Sequence, residues 1–440
     1  MRCTMFLLVL TAVRLALAPA AHASGPDRMT NPAPGIITLT VDEAVRQALA
    51  ENLSLRREAL ALSQSERDHA TAFNRFYPGI DATGTLSRAN STVSDDPWSV
   101  SAGISSSLTL SLPMIQQSRR TAHARTQGLL SYERAERALR RDVQQVFYAI
   151  LLRERNIALK RQTVETARLR WERSVLEYEA GRVSRYAMLA NRVAFERQRP
   201  ELANLEDGYR EALADFALLL GLPRDVLLEL EGSIDIEVGS LDSEALIAAH
   251  LRQRTDVRQA ALSRSGEELT LFMERNRLAP SLSLSYSYSR TNSEPFSASW
   301  FDDFDRWGTG GALSIGLRVP LTPHAPASAE RTARANQRDQ IERSEIALVQ
   351  TIRAAETEIE QLVRRIRRGL DTLEVVRLNR ELARTVWQLA EVEYDRGLID
   401  SFELRNARLE FEQAQLDVLE AELRIKSAVI DLEYATNASL

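Results

Sequence analysis

The chain has 440 residues, 44% of them hydrophobic and 27% charged, with a net charge of -5. That length suits two or three compact domains or one elongated molecule built from a repeat, and the composition excludes wholesale disorder. The acidic balance offers no general attraction to nucleic acid, so none is expected as a partner.

In chain order, the first segment reads as an export signal. Arg2 precedes an apolar run from Met5 to Ala18, and Ala21-His22-Ala23 forms an A-x-A cleavage pattern. Residues 1-23 are therefore expected to be a signal peptide, with the mature chain starting near Ser24 and residues 24-38 forming an N-terminal extension. The single cysteine, Cys3, lies ahead of the apolar run, which leaves the exported chain no thiol and no cysteine placed for lipid attachment. No later segment approaches the roughly 18 to 20 uninterrupted apolar residues of a membrane-spanning helix. Entry into a membrane would fall to strands.

Residues 39-222 and 241-440 read as two copies of one unit, joined by a linker at 223-240. At an offset of 216, Arg161, Trp171, Glu177-Tyr178, Gly181, Phe195-Glu196 and Glu206 match Arg377, Trp387, Glu393-Tyr394, Gly397, Phe411-Glu412 and Glu422. A Trp, a Tyr and a Gly in register point to an internal duplication. Each copy opens with a short helix, Val41–Asn52 or Leu241–Arg254, and a longer one, Ser54–Phe76 or Asp256–Leu278. Tyr77-Pro78-Gly79 and Ala279-Pro280-Ser281 end the longer ones, because the residue before proline avoids the helical region.

After each proline the apolar period changes from 3.6 to 2. Strands are expected at about 79-90 and 98-113 in the first copy and at about 281-290 and 308-320 in the second. Trp98, Val100, Ala102, Ile104, Leu108, Leu110 and Leu112 alternate with Ser99, Ser101, Gly103, Ser105, Ser107, Thr109 and Ser111. Leu282, Leu284, Tyr286 and Tyr288 alternate with serines, and Leu313, Ile315, Leu317 and Val319 alternate with Ala312, Ser314, Gly316 and Arg318. One face is greasy and the other polar. Asp95-Asp96-Pro97 and Asn292–Trp307 read as the loops between paired strands, and Pro113 and Pro320 as strand ends.

Long helices follow at 118-180 and 325-396, roughly 95 and 105 Å at 1.5 Å per residue. They end at Gly181 and Gly397, and return helices run over 184-220 and 400-438. The last helix repeats every seven residues: Phe402, Leu409, Leu416, Leu423 and Ile430 form one column, Leu404, Phe411, Val418, Ile425 and Leu432 a second, and Ala407, Ala414, Ala421, Ala428 and Ala435 a third. The second and third columns lie together and the first nearly opposite, which describes a stave with neighbours on both sides.

Four amphipathic strands are too few to close a barrel, because membrane barrels begin at about eight strands and an open edge in lipid leaves backbone groups unpaired. Several copies sharing one barrel would place Val100, Ile104, Leu108, Leu110, Leu284, Tyr286, Leu313, Ile315 and Leu317 against lipid. Ser105, Ser107, Thr109, Ser314 and Arg318 would then line a wet lumen. An antiparallel sheet packed in a soluble protein gives the same alternation. No phosphate loop, G-x-S-x-G element or H-E-x-x-H spacing occurs, so no enzyme activity, metal or other cofactor is expected. The basic run Arg364-Arg365-Ile366-Arg367-Arg368, with Glu356, Glu358 and Glu360 nearby, reads as a solvated helix face.

The order helix-Pro-strand-strand-Pro-long helix-helix, repeated twice from Leu39-Thr40-Val41-Asp42-Glu43-Ala44 onward, resembles the TolC family of outer-membrane efflux proteins. The resemblance implies a mainly α chain with a small β membrane part, three copies of which form a 12-strand β-barrel continuing into a 12-helix periplasmic α-barrel, with the linker at the equator. It also implies a periplasmic adaptor and an inner-membrane pump of RND, ABC or MFS type as partners. In that family the helical tips meet the adaptor; the matching positions are Ala180-Gly181-Arg182 and Arg396-Gly397-Leu398. An acid six residues after the second glycine narrows the entrance, and Glu403 stands there, with Asn406 where a second acid can stand and Tyr394 at an aromatic gate position. The competing reading is an exported coiled-coil adaptor, which would carry one hairpin inside β-rich flanks; a type I secretion outlet would use the same channel.

Overall fold

A computed structural model of the chain describes residues 36-88, 98-234, 236, 241-276, 279-292, 307-321 and 328-438. The expected signal peptide, both inter-strand loops except Asn292 and Trp307, and Ala325–Ala327 lie outside the described residues.

The first element is a short strand, β1 (Ile37–Leu39), followed by α1 (Val41–Glu51) and α2 (Leu53–Ala70). Thr40 starts α1 with a capping box, its hydroxyl accepting from the Glu43 N–H while the Glu43 carboxylate accepts from the Thr40 N–H. Asn52 ends α1 and caps α2, accepting from the N–H groups of Ser54 and Leu55. A 3-10 turn over Ala72–Phe76 leads into β2 (Gly79–Arg88), β3 (Trp98–Leu110), α3 (Leu112–Glu179) and α4 (Arg185–Leu219). The second copy repeats the order with β4 (Leu228–Leu230), α5 (Ser243–His250), α6 (Thr255–Asn276), β5 (Ser281–Asn292), β6 (Gly308–Arg318), α7 (Ala329–Asp395) and α8 (Ser401–Thr436).

Two boundaries differ from expectation for physical reasons. The strand before the first long helix ends at Leu110 and α3 begins at Leu112, with Pro113 in its first turn. Proline is at home there, because its missing N–H is one that a helix start leaves unpaired anyway. Pro113 marks a helix start in place of the expected strand end, whereas Pro320 follows the end of β6. The short strands β1 and β4 pair in parallel, Ile37 with Leu228 through Leu39 with Leu230, inside segments expected to be an extension and a linker.

The duplication has two offsets. It is 202 from α2 to α6 (Leu53 to Thr255) and 216 in the hairpins (Arg185 to Ser401). Most of the shift enters where one residue, Ser111, joins β3 to α3, whereas residues 319-328 separate β6 from α7.

The core concentrates at mid-length. One cluster joins Leu39, Ala44, Val45 and Ala48 to Val143, Phe147, Ile150 and Leu151 of α3, Phe216 and Leu220 of α4, Leu228 and Leu230 of β4, and Ile430 of α8. A second joins Ile359, Val363 and Ile366 of α7 to Val418, Ala421, Ile425, Ala428 and Leu432 of α8, with Leu241, Leu246 and Ile247 packed on it. The second and third columns of α8 thus bury against α7. Of the first column, Leu423 and Ile430 join the other cluster beside α3, whereas Phe402 and Leu409 nearer the tip are exposed. Gly221, at φ +78, ends the first hairpin pressed against Glu51, where an added Cβ would stand 2.4 Å from the Glu51 carbonyl oxygen. Its counterpart at offset 216, Asn437, is also left-handed, at φ 57.

Candidate functional site

The strands form one antiparallel sheet in the order β2-β3-β5-β6. Its register sorts the side chains. Ile104 faces Ala82 on one side and Tyr288 on the other; Leu108 faces Leu284, which faces Ile315; Leu110 faces Leu282, which faces Leu317. These residues share one face, because alternate residues of a strand point the same way and directly paired residues lie on the same side. Val100, Tyr286 and Leu313 belong to it. Ser105, Ser107, Thr109, Ser314 and Arg318 belong to the other face, where Ser107 faces Gly79 and Ser285, and Ser285 faces Ser314.

A sheet in a soluble core would bury the apolar face. Here Ile80, Leu313, Ile315 and Leu317 are each about 70% exposed, and Ile104, Leu110, Leu284 and Tyr286 are also exposed. No described helix packs on this sheet. Its outer strands, β2 and β6, each have a neighbour on one side only among the described residues. Among the described residues the sheet therefore presents an uncovered apolar surface with two unpaired edges.

Below the sheet, contacts place α3 between α2 and α6, with α7 beyond α6; farther down, α3 lies between α4 and α8, with α7 beyond α8. The helices form a wall with α4 and α7 at its lower edges. Both edges expose apolar seams at helical spacing, Tyr186, Leu189 and Val193 on α4 and Val375, Leu378, Leu382, Leu389 and Val392 on α7.

The matched residues of the duplication touch each other within each hairpin. Trp171 stacks on Phe195 at 5.6 Å between centroids, and Trp387 on Phe411 at 5.3 Å. Arg161 pairs with Glu206 at 2.7 Å, and Arg377 with Glu422 at 2.8 Å. The offset of 216 identified these residues without identifying them as partners. The missed signal was a constant separation of 24 and of 45 residues across each turn.

Both tips are built alike. Gly181 N–H donates to Tyr178 O and Arg182 N–H to Glu177 O; Gly397 N–H donates to Tyr394 O and Leu398 N–H to Glu393 O. This is the Schellman closure, with the glycines left-handed at φ +74 and +73. Ser184 and Asp400 then cap the return helices, Asp400 accepting from the N–H groups of Phe402 and Glu403. Ala180, Gly181 and Arg182 lie exposed at one tip, and Tyr394, Arg396, Gly397, Leu398 and Glu403 at the other; Asn406 is half-buried.

Just above the tips the two hairpins are linked. Arg408 of α8 pairs with Glu412 and donates to the Thr163 carbonyl of α3. Arg170 of α3 stands 3.9 Å from Glu391 of α7; burial, followed by repulsion from Arg408, pulls its guanidinium below the ordinary arginine value. At mid-length, Arg254 bridges Asp256 and Glu358 and donates to the Ala435 carbonyl. Burial opposes the charge on Asp256, but its hydrogen bonds from Arg254 and that guanidinium's charge hold its carboxyl below the usual value.

Among the described residues no group of three or more His, Cys, Asp or Glu could hold a metal ion, and no helix is long and apolar enough to cross a membrane. The second fact says nothing of strands.

No curated protein matches the chain by sequence. Solved structures do match by shape: the CmeC outer membrane channel of Campylobacter jejuni (TM-score 0.76, 14% identity, 91% of this chain and 86% of that one). The MtrE outer membrane channel of Neisseria gonorrhoeae in its open state (TM-score 0.72, 16% identity, 91% and 89%) and the outer membrane protein VceC of Vibrio cholerae (TM-score 0.70, 13% identity, 90% and 96%) share the fold as well. The sequence profile of the outer membrane efflux protein family matches residues 44-222 and 246-438, most of the chain, which therefore belongs to that family.

Proposed function

We propose that three copies of this chain assemble into an outer-membrane exit duct, with their twelve strands closing one β-barrel and their twelve long and return helices one periplasmic α-barrel. The carrying observation is the sheet whose apolar face no described residue covers and whose two edges are unpaired among the described residues. Pairing β6 of one copy with β2 of the next satisfies the edges, and lipid covers the face. The apolar seams on α4 and α7 support the same closure lower down, since they stand at opposite edges of one wall.

The duct would receive substrate from an inner-membrane pump of RND, ABC or MFS type through a periplasmic adaptor docked on the tips around Gly181 and Gly397. Type I secretion would use the same conduit. Glu403 is assigned to the constriction of the entrance, with Asn406 one turn above and Tyr394 beside it. The seven-residue column of Glu403, Glu410, Asp417, Arg424 and Asp431 supports that placement. Two residues to either side of Arg424, about 200° around the helix, Glu422 pairs with Arg377 and Lys426 lies over the Tyr148 ring. The Glu403 column thus lies on the opposite side of α8, and three such carboxylates around an axis would attract cations.

The test is the oligomeric mass and single-channel conductance of the mature chain extracted from outer membranes in mild detergent. A conducting trimer is expected. A water-soluble monomer without conductance would overturn the channel and favour an exported adaptor.

A further inference from the structure

The basic run on α7 is not a uniformly solvated face. Arg364 pairs with Glu360, and Arg367 donates to the carbonyl of Leu241, immediately after the linker. Arg365 and Arg368, by contrast, have no carboxylate within salt-bridge distance among the described residues, and Arg368 Nε donates back to the Arg364 carbonyl. Both line a groove of about 510 Å³ between α7 and α8, together with Thr372, Arg424, Ser427 and Asp431.

Arg367 marks the side of α7 that meets Leu241. At about 100° per residue, Arg368, Thr372 and Arg365 stand about 100°, 140° and 160° around the helix from it. On α8 the groove is lined by Arg424 and Asp431, members of the Glu403 column, and by Ser427. The groove thus opens on the side of the wall away from Leu241. Its floor is held close by Gly369, where an added Cβ would stand 2.7 Å from Ile425 Cγ1. The first hairpin has no counterpart: at offset 216 the three arginines correspond to Ala149, Leu152 and Gly208.

The charges do not cancel. Arg424 is partnered by Glu420 at 3.3 Å, and Asp431 accepts from the Gln145 side chain while feeling Arg365 only at longer range. Burial, the largest influence on Asp431, pushes its carboxyl above the ordinary range. The guanidinium forks of Arg365 and Arg368 and the Ser427 hydroxyl line this space, which is large enough for several non-hydrogen groups, while the Thr372 hydroxyl is turned to the Arg368 carbonyl; guanidinium forks beside a hydroxyl are a donor set that oxyanions take.

We infer that this groove is a binding site for a multivalent oxyanion, one per protomer, which places a basic girdle inside the duct above the acidic entrance. The luminal placement rests on the channel reading; the binding itself does not. Such a girdle would hold phosphate- or carboxylate-rich solutes that had passed the carboxylates below.

The experiment combines two readouts on the detergent-extracted full chain, with sodium tripolyphosphate as the probe. Calorimetric titration should give saturable binding to the wild type, at least about tenfold weaker in R365Q/R368Q. Neither arginine has a carboxylate within salt-bridge distance among the described residues, so the variant should keep its oligomeric state and its conductance in plain potassium chloride. Tripolyphosphate should also block single-channel current in the wild type and much less in the variant. Equal binding by wild type and variant overturns the site. Arginine-dependent binding without block overturns its luminal placement. If the wild type proves a non-conducting monomer, the channel reading fails while calorimetry still decides the groove.

Discussion

Ile104→Arg tests the barrel wall where it should hurt most. Along β3 the apolar face runs from Val100 to Leu110, ten residue-to-residue steps or about 34 Å of strand. At the strand tilt of about 40° usual in membrane barrels, that becomes a band about 25 Å tall, the height such barrels present to lipid. Ile104, paired with Ala82 and Tyr288, sits near its middle. An arginine at mid-bilayer on the lipid face costs about 2-4 kcal/mol. Three copies in one barrel carry three such sites, far apart and therefore additive, for about 6-12 kcal/mol per trimer. That approaches the whole stability of an ordinary domain.

The assay is the fraction of trimer formed on refolding into liposomes, followed across a guanidinium titration. I104R should yield almost none. Leu110→Arg, at the edge of the band next to the helices, should cost no more than about 1 kcal/mol per site. Ser105→Arg points the opposite way, toward a face where its direct partners are Asp81 and Ser287; the cross-strand carboxylate favours the new charge, and trimer yield should stay near wild type. Equal loss in I104R and S105R would refute the two-faced wall, and with it the shared barrel.

Other perturbations separate the parts of the molecule. Gly181→Ala and Gly397→Ala meet nothing within 4 Å, so each should cost only the left-handed conformation, about 1-2 kcal/mol in denaturant titrations. Gly221→Ala adds an overlap with the Glu51 backbone and should cost a further 1-3 kcal/mol, roughly the price of overpacking. The Asp256 carboxyl lies below its unfolded value of about 3.9, so its contribution is complete above that pH and is lost as pH falls through the lower folded value. Arg254→Gln should therefore flatten the acid limb of a stability-pH curve; an unchanged limb would remove Asp256 as its source. Glu403→Gln should weaken block of the channel by divalent cations, and unaltered block in planar bilayers would move Glu403 off the axis.

Much of this fold is legible in the sequence because its elements are long and strongly periodic. The change from period 3.6 to period 2 at Pro78 and Pro280 locates both strand pairs, and the seven-residue columns of α8 anticipate a face packed along α7 and a second packed beside α3 at Leu423 and Ile430, with Phe402 and Leu409 left exposed. What resisted reading depends on short or ambiguous signals. The strands β1 and β4 have three residues each and gain their stability from Phe147 and Leu151 packed nearby, not from any pattern of their own. Proline can end one element or open the next, and Pro113 does the second. The run Arg364–Arg368 looks balanced when charges are counted along the chain, but the helix sends Arg364 toward Glu360 and leaves Arg365 and Arg368 facing a groove.

The duplication itself explains which residues were kept alike and which diverged. A hairpin can hold its two helices in register only if residues on opposite arms match. The Trp-Phe stacks and Arg-Glu pairs recur because each fixes the arms at one height, 5.6 and 2.7 Å in the first hairpin and 5.3 and 2.8 Å in the second. Residues on the face of the hairpin away from Leu241, outside those stacks and pairs, are free of that constraint. On that side Arg365, Arg368 and Arg424 stand where the first hairpin has Ala149, Leu152 and Gly208. Two near-identical hairpins in one chain can thus present different chemistry to the water beside them. If the hairpins alternate around a closed wall, six staves of one kind and six of the other would give the duct its charge pattern without any change in the contacts that hold it together.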